Sequence, residues 1–146
     1  DAYGLRVPFT TTFTAGQALP QRGDLVAFTM PVDGRTYVRR VVGLPGDSLS
    51  VRDGILRLDG EDIEITSGDT TTGMLYPCTY EVTLRAGAGV DQDYITVSDG
   101  RFFVLADDRS NSNDSRTWGE LRLENILGRV EARVRGADGE FGWEPL

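Results

Sequence analysis

The sequence contains no histidine and no lysine; all 15 of its basic residues are arginine. That removes most general bases. A Ser-His-Asp or Cys-His site cannot be built from this chain. Neither can a Ser-Lys dyad, a Schiff-base lysine or a Walker phosphate loop. Cys78 is the only thiol, so an internal disulfide and the usual Cys/His zinc site are excluded. No apolar run approaches the roughly 20 residues of a membrane-spanning helix, and Asp1 opens a segment without the apolar stretch of a signal peptide. The formal net charge of −8 argues against a nucleic-acid partner, because phosphate binding calls for a basic face. No cofactor is expected.

What is present is a chain of ordinary globular composition, 39% hydrophobic and 26% charged over 146 residues, enough for a single domain with its own core. Turn signals are dense. Asp-Gly occurs at Asp33-Gly34, Asp53-Gly54, Asp59-Gly60, Asp99-Gly100 and Asp138-Gly139, the pair favoured in two-residue hairpin turns because both positions need positive φ. Ser48 to Leu58 reads as one such hairpin. Other strand-like runs are Leu25 to Met30, Tyr37 to Val42, Ile63 to Ile65, Tyr80 to Leu84, Tyr94 to Val97, Phe102 to Leu105 and Ile126 to Val134. Short runs at near-regular spacing predict an all-β domain, with a helical turn only within Leu121 to Leu127. Residues from about Glu61 to Val97, rich in Thr, Gly and Asp, read as an insertion of strands and loops into a tighter core.

Two segments carry more than turn chemistry. In Tyr37 to Asp47 a strand runs into a Gly-Pro-Gly turn, and its adjacent Arg39 and Arg40 must point to opposite faces. One of them is expected to face inward and need a partner; the alternative is an exposed strand with two solvated arginines. Ala106 to Gly119 is a long polar loop between an apolar strand and Trp118. It lacks the glycine of a calcium-binding EF-hand loop, and Arg109 and Arg116 offset its acids. Its own Asp, Asn and Ser side chains are suited to holding its backbone. Asp114 and Arg116 stand out as partners for a buried arginine of the first segment, and Arg40 is expected to pair with Asp114.

Arg22-Gly23-Asp24-Leu25-Val26, then Tyr37 to Asp47, then Arg101 to Gly119, then Ile126-Leu127-Gly128-Arg129-Val130 resemble, in order, the signature boxes of bacterial type I signal peptidases. The resemblance implies an antiparallel β fold with a small inserted β subdomain. It implies a membrane-anchored protein at the periplasmic or outer face, with an anchor helix before Asp1. It also implies partners of one kind, an extended peptide or a secreted protein.

In that family a serine is the nucleophile and a neutral lysine its base. Carried over, the lysine position is Arg39, and a guanidinium keeps its proton in proteins. The nucleophile position falls on Ala15 when counted back from Gly23-Asp24, or on Thr11 when counted forward from Pro8; both registers stay open. Ser112 matches the serine that hydrogen-bonds the lysine. Arg40, Asp114 and Arg116 match a structural ion-pair set. Departures in the long box are Ala106 for Gly, Asp108 for Asn and Ser110 for Asp. The resemblance thus implies a kept scaffold with a lost dyad, a pseudoenzyme that binds a peptide or docks a secretion or assembly partner. The alternatives are an active peptidase using a hydroxyl of Thr10, Thr11, Thr12 or Thr14 with a carboxylate base, and a structural domain with no peptide site. Phe9, Phe13, Phe28 and Met30 read either as a membrane-facing edge or as core. Phe141 and Trp143 read as packing residues, and Cys78 as a buried or loop thiol.

Overall fold

A computed structural model describes residues 18–132 and 141–144. The strands in chain order are β1 (Leu25–Thr29), β2 (Thr36–Gly43), β3 (Ser48–Arg52), β4 (Ile55–Leu58), β5 (Glu61–Asp62), β6 (Glu64–Ser67), β7 (Thr70–Leu75), β8 (Cys78–Val82), β9 (Gln92–Thr96), β10 (Arg101–Leu105), β11 (Leu121–Arg122), β12 (Ile126–Ala132) and β13 (Phe141–Glu144). One helical turn, α1 (Ser115–Trp118), and a 3-10 turn over Leu123–Asn125 are the helical elements among the described residues. The helical turn expected within Leu121 to Leu127 is therefore present as the 3-10 turn. α1 is an addition, started by Asp114, whose carboxylate accepts from Arg116 N as an N-cap.

The strands form three sheets. Six order as β11-β10-β2-β1-β12-β13, four as β5-β4-β3-β9 and three as β6-β7-β8. All pairings between these strands are antiparallel. The Glu61 to Val97 stretch is thus divided: β5 and β9 flank the β3–β4 hairpin, and β6 to β8 form the small sheet.

The Asp-Gly signals explain the tight connections. Asp53 and Gly54 have φ of 52° and 79°, and Asp59 and Gly60 have 50° and 86°. These are the mirror-image turns whose twist matches that of the strands they join. Asp138-Gly139 lies outside the described residues.

Side-chain alternation assigns the faces of the large sheet. Val26 and Phe28 of β1, Val41 of β2 and Val104 of β10 pack on one face with Leu121 and Ile126. Val42, Phe103 and Leu105 point the other way and share a core with Leu49, Val51 and Leu56 of the four-stranded sheet and Tyr80 and Val82 of the small one. Phe28 and Met30 are core residues, 0% and 5% exposed, and not a membrane-facing edge, because both pack in the cluster with Val41, Phe102, Val104 and Ile126. Phe9, Phe13 and the side chains of Phe141 and Trp143 lie outside the described residues. Cys78 is half-buried at the start of β8, where a Cβ on Gly23 would come 2.7 Å from its own Cβ.

Candidate functional site

The site is built where β10 gives out. β10 pairs with β2 only as far as Leu105 opposite Arg40. Beyond that point the chain leaves the sheet as the loop 106–113. A cleft of ≈ 220 Å³ remains between this loop and β2, walled by Val38, Arg39 and Arg40 on one side and Ala106, Asp107 and Asn111 on the other.

Arg39 and Arg40 take opposite faces, as adjacent strand residues must. Both are tied into the protein, so neither is the solvated arginine of an exposed strand. The Arg39 guanidinium lies over the Tyr37 ring, 5.2 Å from its centroid. Its Nη1 donates to Val38 O at 2.7 Å and its Nε to Asn113 O at 3.2 Å. Asn113 also donates to Tyr37 Oη at 3.2 Å and accepts from Trp118 Nε1 at 3.1 Å. Trp118 in turn packs on Phe28, with ring centroids 5.7 Å apart. Arg39 is thus held among aromatic and amide groups.

Arg40 points into the core shared by the three sheets. Its partner is Asp107, not the expected Asp114: Nε donates to Oδ1 at 2.9 Å and Nη2 to Oδ2 at 2.8 Å. Its Nη1 donates to Gly23 O, and its guanidinium stacks over Tyr80, 4.6 Å from the ring centroid. The register explains the correction. Leu105 sits opposite Arg40, so the residue two further on arrives beside the guanidinium. Asp114 is already committed. Its Oδ2 accepts from Ala106 N at 2.9 Å and from Arg116 Nη2 at 2.9 Å, with no exposed side-chain surface on either partner of the ion pair.

Arg116 closes the loop on itself, donating also to the carbonyls of Ala88, Val90, Arg109 and Asn111. Ser112 does not reach Arg39. Its Oγ accepts from Val90 N at 2.9 Å, and the contact to Arg39 comes from the next residue's carbonyl. Thr11 and Ala15, the two registers of the nucleophile position, lie outside the described residues, as do Thr10, Thr12 and Thr14.

A second ion pair anchors the loop from below. Arg109, with no exposed surface, donates through both terminal nitrogens to Glu64 at 2.6 Å each. It also reaches Gly54 O and Ala106 O. Glu64 accepts further from Leu56 N at 2.8 Å and Tyr80 Oη at 2.7 Å. Burial of the Tyr80 phenol, then the charge of Glu64 beside it, pushes its pKa up, well above the ordinary 10.0. For Arg109, burial works against the cation, but the hydrogen bonds and charge of Glu64 outweigh it and the pKa is raised. Sequence reasoning missed Glu64 and Asp107 as partners. The available signal was an acid set between Ile63 and Ile65 in a strand-like run. No cluster of metal-ligating side chains and no helix long and apolar enough to cross a membrane occurs among the described residues.

Residues 6–135 match the family model described as "Signal peptidase, peptidase S26". The chain is 33% identical over 133 residues to a probable signal peptidase I-1 of Synechocystis sp., covering 84% of this chain and 60% of that protein. It is 32% identical over 148 residues to a signal peptidase I of Pseudomonas aeruginosa, covering 90% and 52% respectively. It therefore spans about half the length of the curated relatives it matches. A crystal structure of a signal peptidase I from Enterococcus faecalis V583 superposes with a TM-score of 0.54 at 30% identity, over 77% of this chain and 97% of that one.

Proposed function

The chain belongs to the signal peptidase family, peptidase S26, and from that premise we propose that it binds an extended peptide at the β2 cleft without hydrolysing it. One observation carries the reading. The position that matches the family's general base holds Arg39, whose guanidinium is fixed by two main-chain carbonyls and can donate but not accept a proton. The sequence holds no lysine or histidine side chain to take the place of that base. Among the described residues, Arg40–Asp107, Arg116–Asp114 and Arg109–Glu64 hold the loop beside the cleft in place. β2 is central in the sheet, but its start, before Arg40, has no β10 partner, and an extended peptide can bind by adding main-chain hydrogen bonds to such a stretch. The occupant under this reading is a secreted protein or its signal segment, met at the membrane surface on the periplasmic or outer face.

The test is incubation with a signal-peptide substrate bearing small residues one and three places before the cut, in detergent or lipid, followed by mass spectrometry. Uncut peptide that nevertheless binds saturably is the expected result. Cleavage that disappears in Arg39→Met overturns the proposal, because it makes Arg39 part of a working site.

A further inference from the structure

Arg39 differs from the other buried arginines. Arg109 has Glu64 and Arg116 has Asp114. Arg39 is equally shielded, 4% exposed, yet no carboxylate among the described residues forms an ion pair with it. Two of its nitrogens serve main-chain carbonyls. Its Nη2 has no acceptor among those residues. Arg39 also lines the cleft.

The other charges of the cleft do not cancel it. Asp107 is taken by the two-pronged contact with Arg40. Asp108 is exposed, and its Oδ1 accepts from both the amide and the hydroxyl of Ser110. A largely desolvated cation remains at the cavity wall, with no carboxylate paired to it among the described residues. Burying such a charge unpaired is costly, and a carboxylate oxygen accepting from Nη2 would offset part of that cost.

The cleft limits what the anion can be. At ≈ 220 Å³ it is smaller than the about 300 Å³ at which pockets begin to enclose drug-sized ligands. It has room for a side chain or the end of a chain. The net charge of −8 gives free anions no long-range attraction, which favours an anion carried by a bound peptide. We infer that Arg39 binds a peptide carboxylate in the β2 cleft, supplied either by the terminus of a cleaved peptide or by an acidic side chain. The inference rests on the peptide-binding reading above and gives it a chemical preference.

Three peptides of one sequence ending in Ala test it by fluorescence anisotropy against the full chain: the free acid, the C-terminal amide, and an amide with Glu introduced next to the end. The free acid or the Glu peptide should bind roughly tenfold or more tighter than the plain amide, the range of a charge-assisted hydrogen bond. Preference for the first identifies a chain terminus and for the second a side chain. Arg39→Gln should erase the difference between the three peptides. Equal binding of all three by the unchanged protein overturns the inference without any variant, and leaves peptide binding standing. Failure of all three to bind overturns both.

Discussion

Arg40 and Asp107 face each other fork to fork, Nε to Oδ1 at 2.9 Å and Nη2 to Oδ2 at 2.8 Å, across the point where β10 stops pairing with β2. The contact joins the central strand to the loop that walls the cleft. It is partly exposed, 13% and 32% by side chain, whereas Arg116–Asp114 is fully enclosed. The two pairs should therefore differ in weight. Asp107→Ala is expected to cost about 1–3 kcal/mol, and Asp114→Ala about 3–5 kcal/mol because it strands Arg116 and leaves Ala106 N without its acceptor. Urea denaturation of both variants checks the order, and a larger loss for Asp107→Ala would contradict it.

Glu64 and Arg109 invite a double-mutant cycle. Removing either partner leaves a buried charge uncompensated, so Glu64→Leu and Arg109→Met are each expected to lose about 3–5 kcal/mol. The double variant should lose much less than the sum, since both charges go together. Additive losses in the unfolding free energies would show that the pair is not coupled as its geometry indicates.

Tyr80 makes stability sensitive to alkali. Its phenol stays protonated in the folded chain above the 10.0 at which the unfolded chain ionises. The folded form therefore binds the proton more tightly. Its contribution is complete below 10.0 and is lost as pH rises past it, at up to about 1.4 kcal/mol per pH unit. Tyr80→Phe should flatten that fall in the urea midpoint between about pH 9 and 11. An unchanged slope would mean that another group controls it.

Two glycines with similar backbones should respond differently to alanine. Gly89, at φ +70°, faces Arg109 O and the Ser112 hydroxyl where a Cβ would sit. Gly89→Ala is expected to cost about 2–4 kcal/mol from backbone strain and collision together. Gly60, at φ +86°, has nothing within 4 Å, so Gly60→Ala should cost only about 1 kcal/mol. Melting temperatures of the two variants compare them directly.

The strand runs read from the sequence overlap β1, β2, the β3–β4 hairpin, β6, β8, β9, β10 and β12. β7 was not among the strand runs, although its burial alternates strictly, with Thr71, Gly73 and Leu75 inward. Gly73 hides the period because the Tyr80 ring occupies the space a Cβ would need. In β6 the pattern misleads in another way: Ile65 is 67% exposed and Glu64 2%, so the charged residue of the apolar run is the buried one. Partners distant in sequence, above all Arg109 with Leu56 N and Tyr80 Oη, make that orientation favourable. The opposed faces of Arg39 and Arg40 followed from strand geometry alone. The identity of Arg40's acid did not, because the choice between Asp107 and Asp114 depends on the register of β10 against β2.

The side chain of Arg109 touches Gly54 in one hairpin, Glu64 in the small sheet and Ala106 in the loop. The small sheet is consequently not a detachable module. A shortened or chimaeric version that replaces residues 64–82 must bring its own carboxylate to the same spot, or the loop beside the cleft inherits a stranded cation. Grafting between relatives should succeed only where donor and recipient exchange both ends of that pair.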